Sequence, residues 1–104
     1  MATRPAVRSA VWTEQWWQSY LRLPPDRQAS CDRAAMALAV IKGTDTPGLH
    51  VKPILPDKHY LEGRINSGDR IVFRVEGSAI YFMDIVKHDD IERYGRSPRR
   101  GHPR

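Results

Sequence analysis

The arginines best placed to do chemistry stand at alternating positions between Tyr60 and His88. Side chains on a β-strand switch faces at every residue. If this stretch is extended, Arg64, Arg70 and Arg74 share one face with Val72. Ile71, Phe73 and Val75 then point to the other. We therefore expect the three guanidinium groups to converge on an open sheet face, where a functional site for an anionic group would lie.

A second interpretation of these arginines is purely structural. Exposed sheet faces are usually polar, and opposite charges on neighbouring strands pair across them. Glu62 and Glu76 stand on the same predicted face as the arginines. The arginines would then form cross-strand ion pairs on a solvated surface, and both interpretations stay open.

The stretch itself consists of three runs rich in β-branched and aromatic residues. Two short turns, Asn66–Asp69 and Glu76–Ser78, separate the runs, and each contains glycine. This pattern is typical of a three-stranded antiparallel meander. A further short strand is expected at Ala6–Trp12, and one short extended piece at Leu49–Val51.

Two helices are predicted between the first strand and the meander. Thr13 is a common N-cap residue and Glu14 suits the first turn, so the first helix should begin there. Consecutive prolines end it, and the second helix should extend through Arg27–Lys42 to Gly43, a natural stop. We predict an α+β fold: a small antiparallel sheet, made of the N-terminal strand plus the meander, with the helix hairpin packed on one face.

The first helix is unusually aromatic. Trp12, Trp16 and Tyr20 recur four residues apart, and Trp17 is offset by one. The simplest interpretation is that these rings pack on the sheet and the second helix. The alternative is that Trp16, Trp17 and Tyr20 form a surface for a protein partner, since exposed aromatic residues favour interfaces.

Length and composition predict one small globular domain. The 104 residues are 40% hydrophobic and 28% charged, enough for one core but not for two. We expect the domain to span residues 1–96, followed by a basic disordered tail at 97–104. The single Cys31 excludes an internal disulfide and fits a reducing cytoplasm.

The charge balance favours an anionic partner. The formal net charge is +5 and the pI is about 9.8. The segment Arg93–Arg104 holds five arginines and no acidic residue, which equals the whole net charge. No apolar run has transmembrane length and the N-terminus lacks an apolar signal core, so we expect a cytoplasmic protein without membrane association.

Several short motifs resemble those of a known superfamily. The segments Arg64–Asn66 and Arg70–Arg74 together resemble the RIN-x-x-x-RI-x-F block of the HigB-type branch of the RelE/ParE superfamily of bacterial toxins. Asp84–His88 resembles the strand-ending IV-x-x-H of that branch. Gly48–Lys52 and His88–Asp90 are in turn similar to segments of the RelE-like modules associated with UvrD-type helicases.

The resemblance implies the toxin of a type II toxin–antitoxin pair that cleaves translated mRNA on the ribosome without a metal or other cofactor. In such enzymes the 2′-hydroxyl of the RNA attacks the adjacent phosphate, which requires an acid, a base and cations around the phosphorane. Arg70 and Arg64 match the phosphate-stabilising role, because arginine stays charged and grips two oxygens. His88 matches the proton-transfer role. The expected partners are a cognate antitoxin, mRNA and the ribosome.

Other basic and polar residues would supplement this site according to the resemblance. The expected phosphate- or RNA-binding set is Arg74, Lys52, Lys58, His59, Lys87 and Tyr94. One departure from the family pattern is Asp69, which stands where an aromatic residue usually precedes the middle-strand arginine. It places a carboxylate beside the predicted phosphate site. Asp89 and Asp90 add two more anions, which would repel RNA unless they turn away.

Three other functions remain as alternatives. A ParE-like inhibitor would bind a topoisomerase without chemistry, although that branch typically lacks a terminal histidine such as His88. A degenerate nucleic-acid or protein-binding module would use the arginine-rich tail for salt-sensitive contacts. A metal site at His88–Asp90, with His50 or His59, would need ligands from a loop of unknown geometry.

Overall fold

A computed structural model of the chain describes residues 9–41, 48–54 and 60–91. The helices and strands follow the order β1 (Ser9–Trp12), α1 (Glu14–Leu21), α2 (Pro25–Met36), β2 (Lys52–Pro53), β3 (Leu61–Arg64), β4 (Asp69–Glu76) and β5 (Ala79–Lys87). A π-helical segment, Ala37–Ile41, continues α2, and a 3₁₀ turn, His88–Asp90, follows β5. The predicted site residues Lys58, His59 and Tyr94 and the basic tail lie outside the described residues. No helix in the described ranges is long and apolar enough to cross a membrane.

The start of α1 is built around Thr13, as predicted. Its hydroxyl oxygen accepts a hydrogen bond from the backbone N–H of Trp16 at 3.1 Å, which is the usual N-cap contact. The same hydroxyl donates to the carbonyl oxygen of Met83 at 2.9 Å. Thr13 therefore begins the helix and also attaches it to β5. Helix α2 begins at Pro25, because a proline at the first helical position needs no N–H partner.

The three-stranded meander is confirmed, within a sheet of five strands in the order β1-β5-β4-β3-β2. The turn between β4 and β5 places Gly77 at φ +60°, a conformation that favours glycine. Strand β1 pairs in parallel with β5, with Ser9 opposite Ala79, so the sheet is mixed rather than antiparallel as predicted. An alternating pattern indicates an extended strand but carries no information on its direction.

The extended piece predicted at Leu49–Val51 lies three residues further along, as β2 at Lys52–Pro53. His50 has φ +49°, which is left-handed and interrupts an extended run. The second strand begins after this residue and pairs with β3, placing Lys52 opposite Glu62.

The main core lies between the helices and one face of the sheet. Ile71 and Phe73 of β4 are fully buried there, which confirms the predicted direction of these side chains. The helices contribute Trp16, Cys31 and Leu38. Burial of this apolar surface is the main stabilising contribution that holds the hairpin on the sheet.

The other sheet face was predicted to be open, and this prediction is wrong. Ile54, Tyr60, Val72 and Met83 form a second buried cluster on it. Ile54 and Tyr60 extend the β2–β3 pairing by one hydrogen bond, in which the N–H of Ile54 donates to the carbonyl oxygen of Tyr60 at 2.9 Å. Strand alternation assigned Val72 to this face but not the residues that bury it.

A β-bulge in β5 interrupts its pairing with β4. Val72 is opposite Asp84 and Phe73 is opposite Phe82, so Met83 is the extra residue. Met83 packs into the second cluster, while Asp84 accepts a hydrogen bond from the Ser19 hydroxyl of α1 at 2.6 Å. Ile85 packs in the main core as well, so the bulge leaves the consecutive residues Asp84 and Ile85 both facing the helical layer.

Candidate active site

The register of the meander brings the three residues with predicted catalytic roles to one end of the sheet. Arg64 is directly opposite Arg70, and Arg70 is opposite Val86. His88 follows Val86 by two residues, and its backbone N–H donates to the carbonyl oxygen of Gly68 at 2.9 Å. The end of β5 is thus attached to the turn between β3 and β4, next to the two arginines.

Arg70 is held firmly at this end. Its side chain is only 11% exposed, and its Nε atom is 3.6 Å from the Glu62 carboxylate. Its Nη1 atom donates to the carbonyl oxygens of Asn66 at 2.7 Å and of Asp69 at 3.1 Å. The cross-strand pairing expected from the structural alternative is present. The same contacts also fix the guanidinium group in one position, which is what electrostatic stabilisation of a transition state requires.

The other basic residues of this face differ in exposure and in their contacts with neighbouring side chains. Arg64 is exposed, and Lys52 is exposed on β2. Arg74 lies further along β4, with Nη2 3.3 Å from the Glu76 carboxylate and its guanidinium carbon 5.1 Å from the centre of the Tyr81 ring. Arg64 and Lys52 are therefore the more accessible cations, while Arg74 contributes to the sheet surface.

A cavity of about 570 Å³ opens at the ends of β4 and β5. It is lined by Arg27, Asn66, Ser67, Gly68, Asp69, Lys87, His88 and Asp89. The His88 side chain is 58% exposed, and its Nδ1 atom is 3.4 Å from the Asp89 carboxylate. An exposed imidazole is accessible to a bound substrate, and histidine is the most common general acid or base in enzymes. His88 and Lys87, both predicted from the sequence, meet in this cavity.

The carboxylate of Asp69 is neutralised by a residue that the sequence analysis missed. Arg27, in the first turn of α2, donates from Nη2 to Oδ1 at 2.6 Å and from Nε to Oδ2 at 2.9 Å. These bonds hold the pKa of Asp69 below its usual range and raise the pKa of Arg27. Asp69 is only 3% exposed. A buried, paired carboxylate does not repel RNA as a free one would.

A signal for Arg27 existed in the sequence. A cation in the first turn of a helix opposes the helix dipole, so an arginine there suggests an anionic partner. The partner could not be identified from sequence, because Asp69 is 42 residues away. Of the acidic pair after His88, Asp89 lines the cavity with a 97% exposed side chain, so the anion expected from the sequence has not turned away from the site. In the ranges that the structure describes, no three His, Cys, Asp or Glu side chains are grouped as metal ligands.

The aromatic residues of α1 line a second cavity, of about 670 Å³, between β1, α1 and α2. Trp16 is a core residue at 2% exposure, which corrects its expected place on a partner surface. Trp17 is 46% exposed, and Tyr20 is partly buried with its hydroxyl donating to Asp32 at 2.8 Å. Trp12 and Met36, which were not predicted for this surface, are exposed beside them. We call this surface the aromatic groove.

Comparison with known proteins gives matches in structure alone. No protein-family model and no curated protein matches the chain. The YoeB/ParE toxin from Agrobacterium tumefaciens is 25% identical with a TM-score of 0.61, covering 77% of this chain and 98% of that one. The YoeB dimer from Staphylococcus aureus is 15% identical with a TM-score of 0.66, covering 80% and 99%. A chain of the RelBE2 toxin–antitoxin complex from Mycobacterium tuberculosis is 15% identical with a TM-score of 0.61, covering 77% of this chain and 96% of that one.

The matched structures belong to the same superfamily that the strand motifs resemble. The matches extend over nearly the whole length of each matched chain, and they include RelE-, YoeB- and ParE-type proteins. The more specific resemblance, to the HigB-type branch and to the helicase-associated modules, remains a prediction. At the level of the superfamily the prediction is confirmed: the chain has the RelE/ParE toxin fold.

Proposed function

We propose that this protein is the toxin of a type II toxin–antitoxin pair and that it cleaves mRNA on ribosomes in the cytoplasm. The observation that supports this most strongly is the position of Arg64, Arg70 and His88 at one end of the sheet in a RelE/ParE fold. The fold suggests the class of protein. The three side chains supply the cations and the proton-transfer group that metal-independent RNA cleavage needs.

In the proposed reaction, the 2′-oxygen of one nucleotide attacks the adjacent phosphorus, and the bond from phosphorus to the 5′-oxygen breaks. The products are a 2′,3′-cyclic phosphate and a free 5′-hydroxyl. A base accepts the proton of the 2′-hydroxyl, and an acid donates one to the leaving 5′-oxygen. We assign His88 to one of these proton transfers. Lys52, exposed on the same sheet face as Arg64, is our candidate for the other.

The two arginines are proposed to stabilise negative charge on the phosphate, not to transfer protons. Negative charge accumulates on the phosphorane oxygens in the transition state. Arg70, held by the turn carbonyls and Glu62, offers a cation that needs no reorganisation when the charge develops. Arg64, opposite it and exposed, is free to approach the substrate from solvent. Loss of Arg70 should therefore lower the rate of the chemical step, and loss of Arg64 should mainly weaken RNA binding.

The experiment is induced expression in a bacterial host, with growth and mRNA 5′ ends recorded together. Wild type is compared with His88→Ala and with Arg33→Ala, which removes an exposed arginine on α2 remote from the site. We expect arrest and new mRNA ends for wild type and the control, and neither for His88→Ala at equal protein level. Arrest without new ends would favour a topoisomerase inhibitor. Absence of arrest would favour a binding module.

We further propose that a cognate antitoxin covers the aromatic groove. RelBE2 is described as a toxin–antitoxin complex, which supports the expectation of such a partner. Within the groove, Trp17 and Met36 expose apolar surface beside the partly buried Tyr20. Large exposed aromatic and methionine side chains are typical anchors of protein interfaces. An antitoxin complex in which Trp17 is as exposed as in the free protein would contradict this part of the proposal.

A further inference from the structure

Helix α2 is connected to the candidate active site through a series of hydrogen bonds. We infer that Arg27 is a positioning residue: it fixes the turn Asn66–Asp69, and that turn holds Arg70 and His88 in place. The inference concerns how the site is held, and its significance for catalysis rests on the proposed function. Arg27 also lines the cavity that contains His88, but both of its donor groups that bind Asp69 are committed to that carboxylate.

The first link joins α2 to the turn. Arg27 binds the Asp69 carboxylate through two nitrogen atoms, at 2.6 and 2.9 Å, and the carboxylate side chain is 5% exposed. Paired hydrogen bonds of this kind fix both distance and orientation. Because the cation opposes the dipole of its own helix, local helix preference does not explain why an arginine stands at position 27. The contact with Asp69 explains it.

The second link lies within the turn. The Asn66 side chain donates from Nδ2 to the Asp69 carboxylate at 3.1 Å. Its Oδ1 atom accepts hydrogen bonds from the backbone N–H groups of Gly68 at 2.8 Å and Asp69 at 2.9 Å. The carboxylate therefore orients the amide of Asn66, and that amide closes the turn. This is the local side-chain to backbone bonding that asparagine commonly supplies in turns.

The third link joins the turn to the proposed catalytic residues. The carbonyl oxygen of Asn66 accepts a hydrogen bond from Arg70 Nη1 at 2.7 Å. The carbonyl oxygen of Gly68 accepts one from the backbone N–H of His88 at 2.9 Å. Both residues are thus bound to carbonyls of the same short turn. A shift of that turn would move a guanidinium group and an imidazole together.

The position of the ion pair predicts a local effect. Arg27 is 35% exposed, and neither Arg27 nor Asp69 belongs to the main buried cluster around Phe73. Removing the guanidinium group should loosen the turn while the core stays packed. Local opening of this kind is measured by hydrogen exchange, which reports each amide separately.

The test compares Arg27→Met with Arg33→Met, the same substitution at an exposed position of the same helix. Exchange of the His88 amide is followed by NMR, with the amide of Phe73 as an internal reference. We expect at least about a tenfold faster exchange at His88 in Arg27→Met, with no change at Phe73 and none in the control. Arg27→Lys keeps the charge but not the paired hydrogen bonds, so its His88 exchange rate should lie between those of Arg27→Met and the control.

Cleavage kinetics provide the second readout. If the proposed function holds, Arg27→Met should lower kcat with little change in KM, because it disturbs the placement of catalytic groups rather than substrate binding. Unchanged His88 exchange would overturn the inference whatever the activity. Faster exchange in a protein whose wild type does not cleave RNA would support the positioning role and contradict the proposed function. If Arg27→Met does not fold, Arg27→Lys carries the same test.

Discussion

Arg27 and Asp69 are 42 residues apart in the chain and meet through paired hydrogen bonds of 2.9 and 2.6 Å. Their contact joins the helical layer to the turn that precedes β4. The pair also removes the main obstacle that the sequence placed at the predicted phosphate site, a carboxylate next to Arg70. The following predictions begin with this pair.

Asp69 should make stability depend on pH. Its folded pKa is depressed below the ordinary 3.8, chiefly by the hydrogen bond from Arg27. Stabilisation by the carboxylate is therefore present above pH 3.8 and is lost as pH falls through the lower folded pKa. We expect Asp69→Asn to lower the free energy of unfolding at neutral pH by about 1–3 kcal/mol. Urea unfolding should show this deficit shrinking in acid, and a deficit that is constant with pH would contradict the assignment.

Thr13 should stabilise the protein through two contacts at once. Its hydroxyl caps α1 at Trp16 and donates to the Met83 carbonyl of β5. Thr13→Ala should lower the free energy of unfolding by about 1–2 kcal/mol, while Thr13→Ser, which keeps the oxygen, should lose only a few tenths. Urea unfolding monitored by tryptophan fluorescence measures both. Equal losses in the two variants would show that the methyl group, not the hydroxyl, is responsible.

Cys31 should be chemically inert in the folded protein. It is fully buried, and burial raises the pKa of its thiol to about 12. The reactive species is the thiolate, which is then scarce at pH 8. A chromogenic thiol reagent should label Cys31 only after urea is added. Rapid labelling of the native protein would mean that α2 opens easily from the sheet.

Trp17 should be important for antitoxin binding. It is 46% exposed in the aromatic groove, and interface tryptophans often dominate affinity. Trp17→Ala should weaken binding of the proposed antitoxin by at least about tenfold in calorimetric titration. Val75→Ala is the control, because Val75 is similarly exposed, at 45%, on the sheet. Equal affinities for wild type and Trp17→Ala would place the antitoxin elsewhere.

The features predicted correctly from sequence are those encoded locally. Thr13 specifies a helix start through its own side chain, and the alternation in β4 specifies that Ile71 and Phe73 face the helices. The turn residues around Gly68 and Gly77 define the meander, and its register then aligns Arg64 with Arg70. Each of these inferences needed only a few neighbouring residues.

The features that were missed depend on distant parts of the chain. The parallel direction of β1 depends on its distant partner β5, and Val72 is buried by Ile54, Tyr60 and Met83 from other parts of the chain. The bulge at Met83 changes the alternation of β5 without a glycine to mark it. The partner of Arg27 lies 42 residues away. None of these relationships leaves a periodic pattern in the sequence.

The chemistry of the cut RNA ends distinguishes cleavage by the RNA's own 2′-hydroxyl from hydrolysis by water. Purified protein is incubated with mRNA-programmed ribosomes in excess chelator, and the products are analysed by mass spectrometry. The account predicts 2′,3′-cyclic phosphate and 5′-hydroxyl ends for wild type, with a rate at least about a hundredfold lower for Arg70→Ala. Intact mRNA with wild type, or products that carry 5′-phosphates, would contradict it.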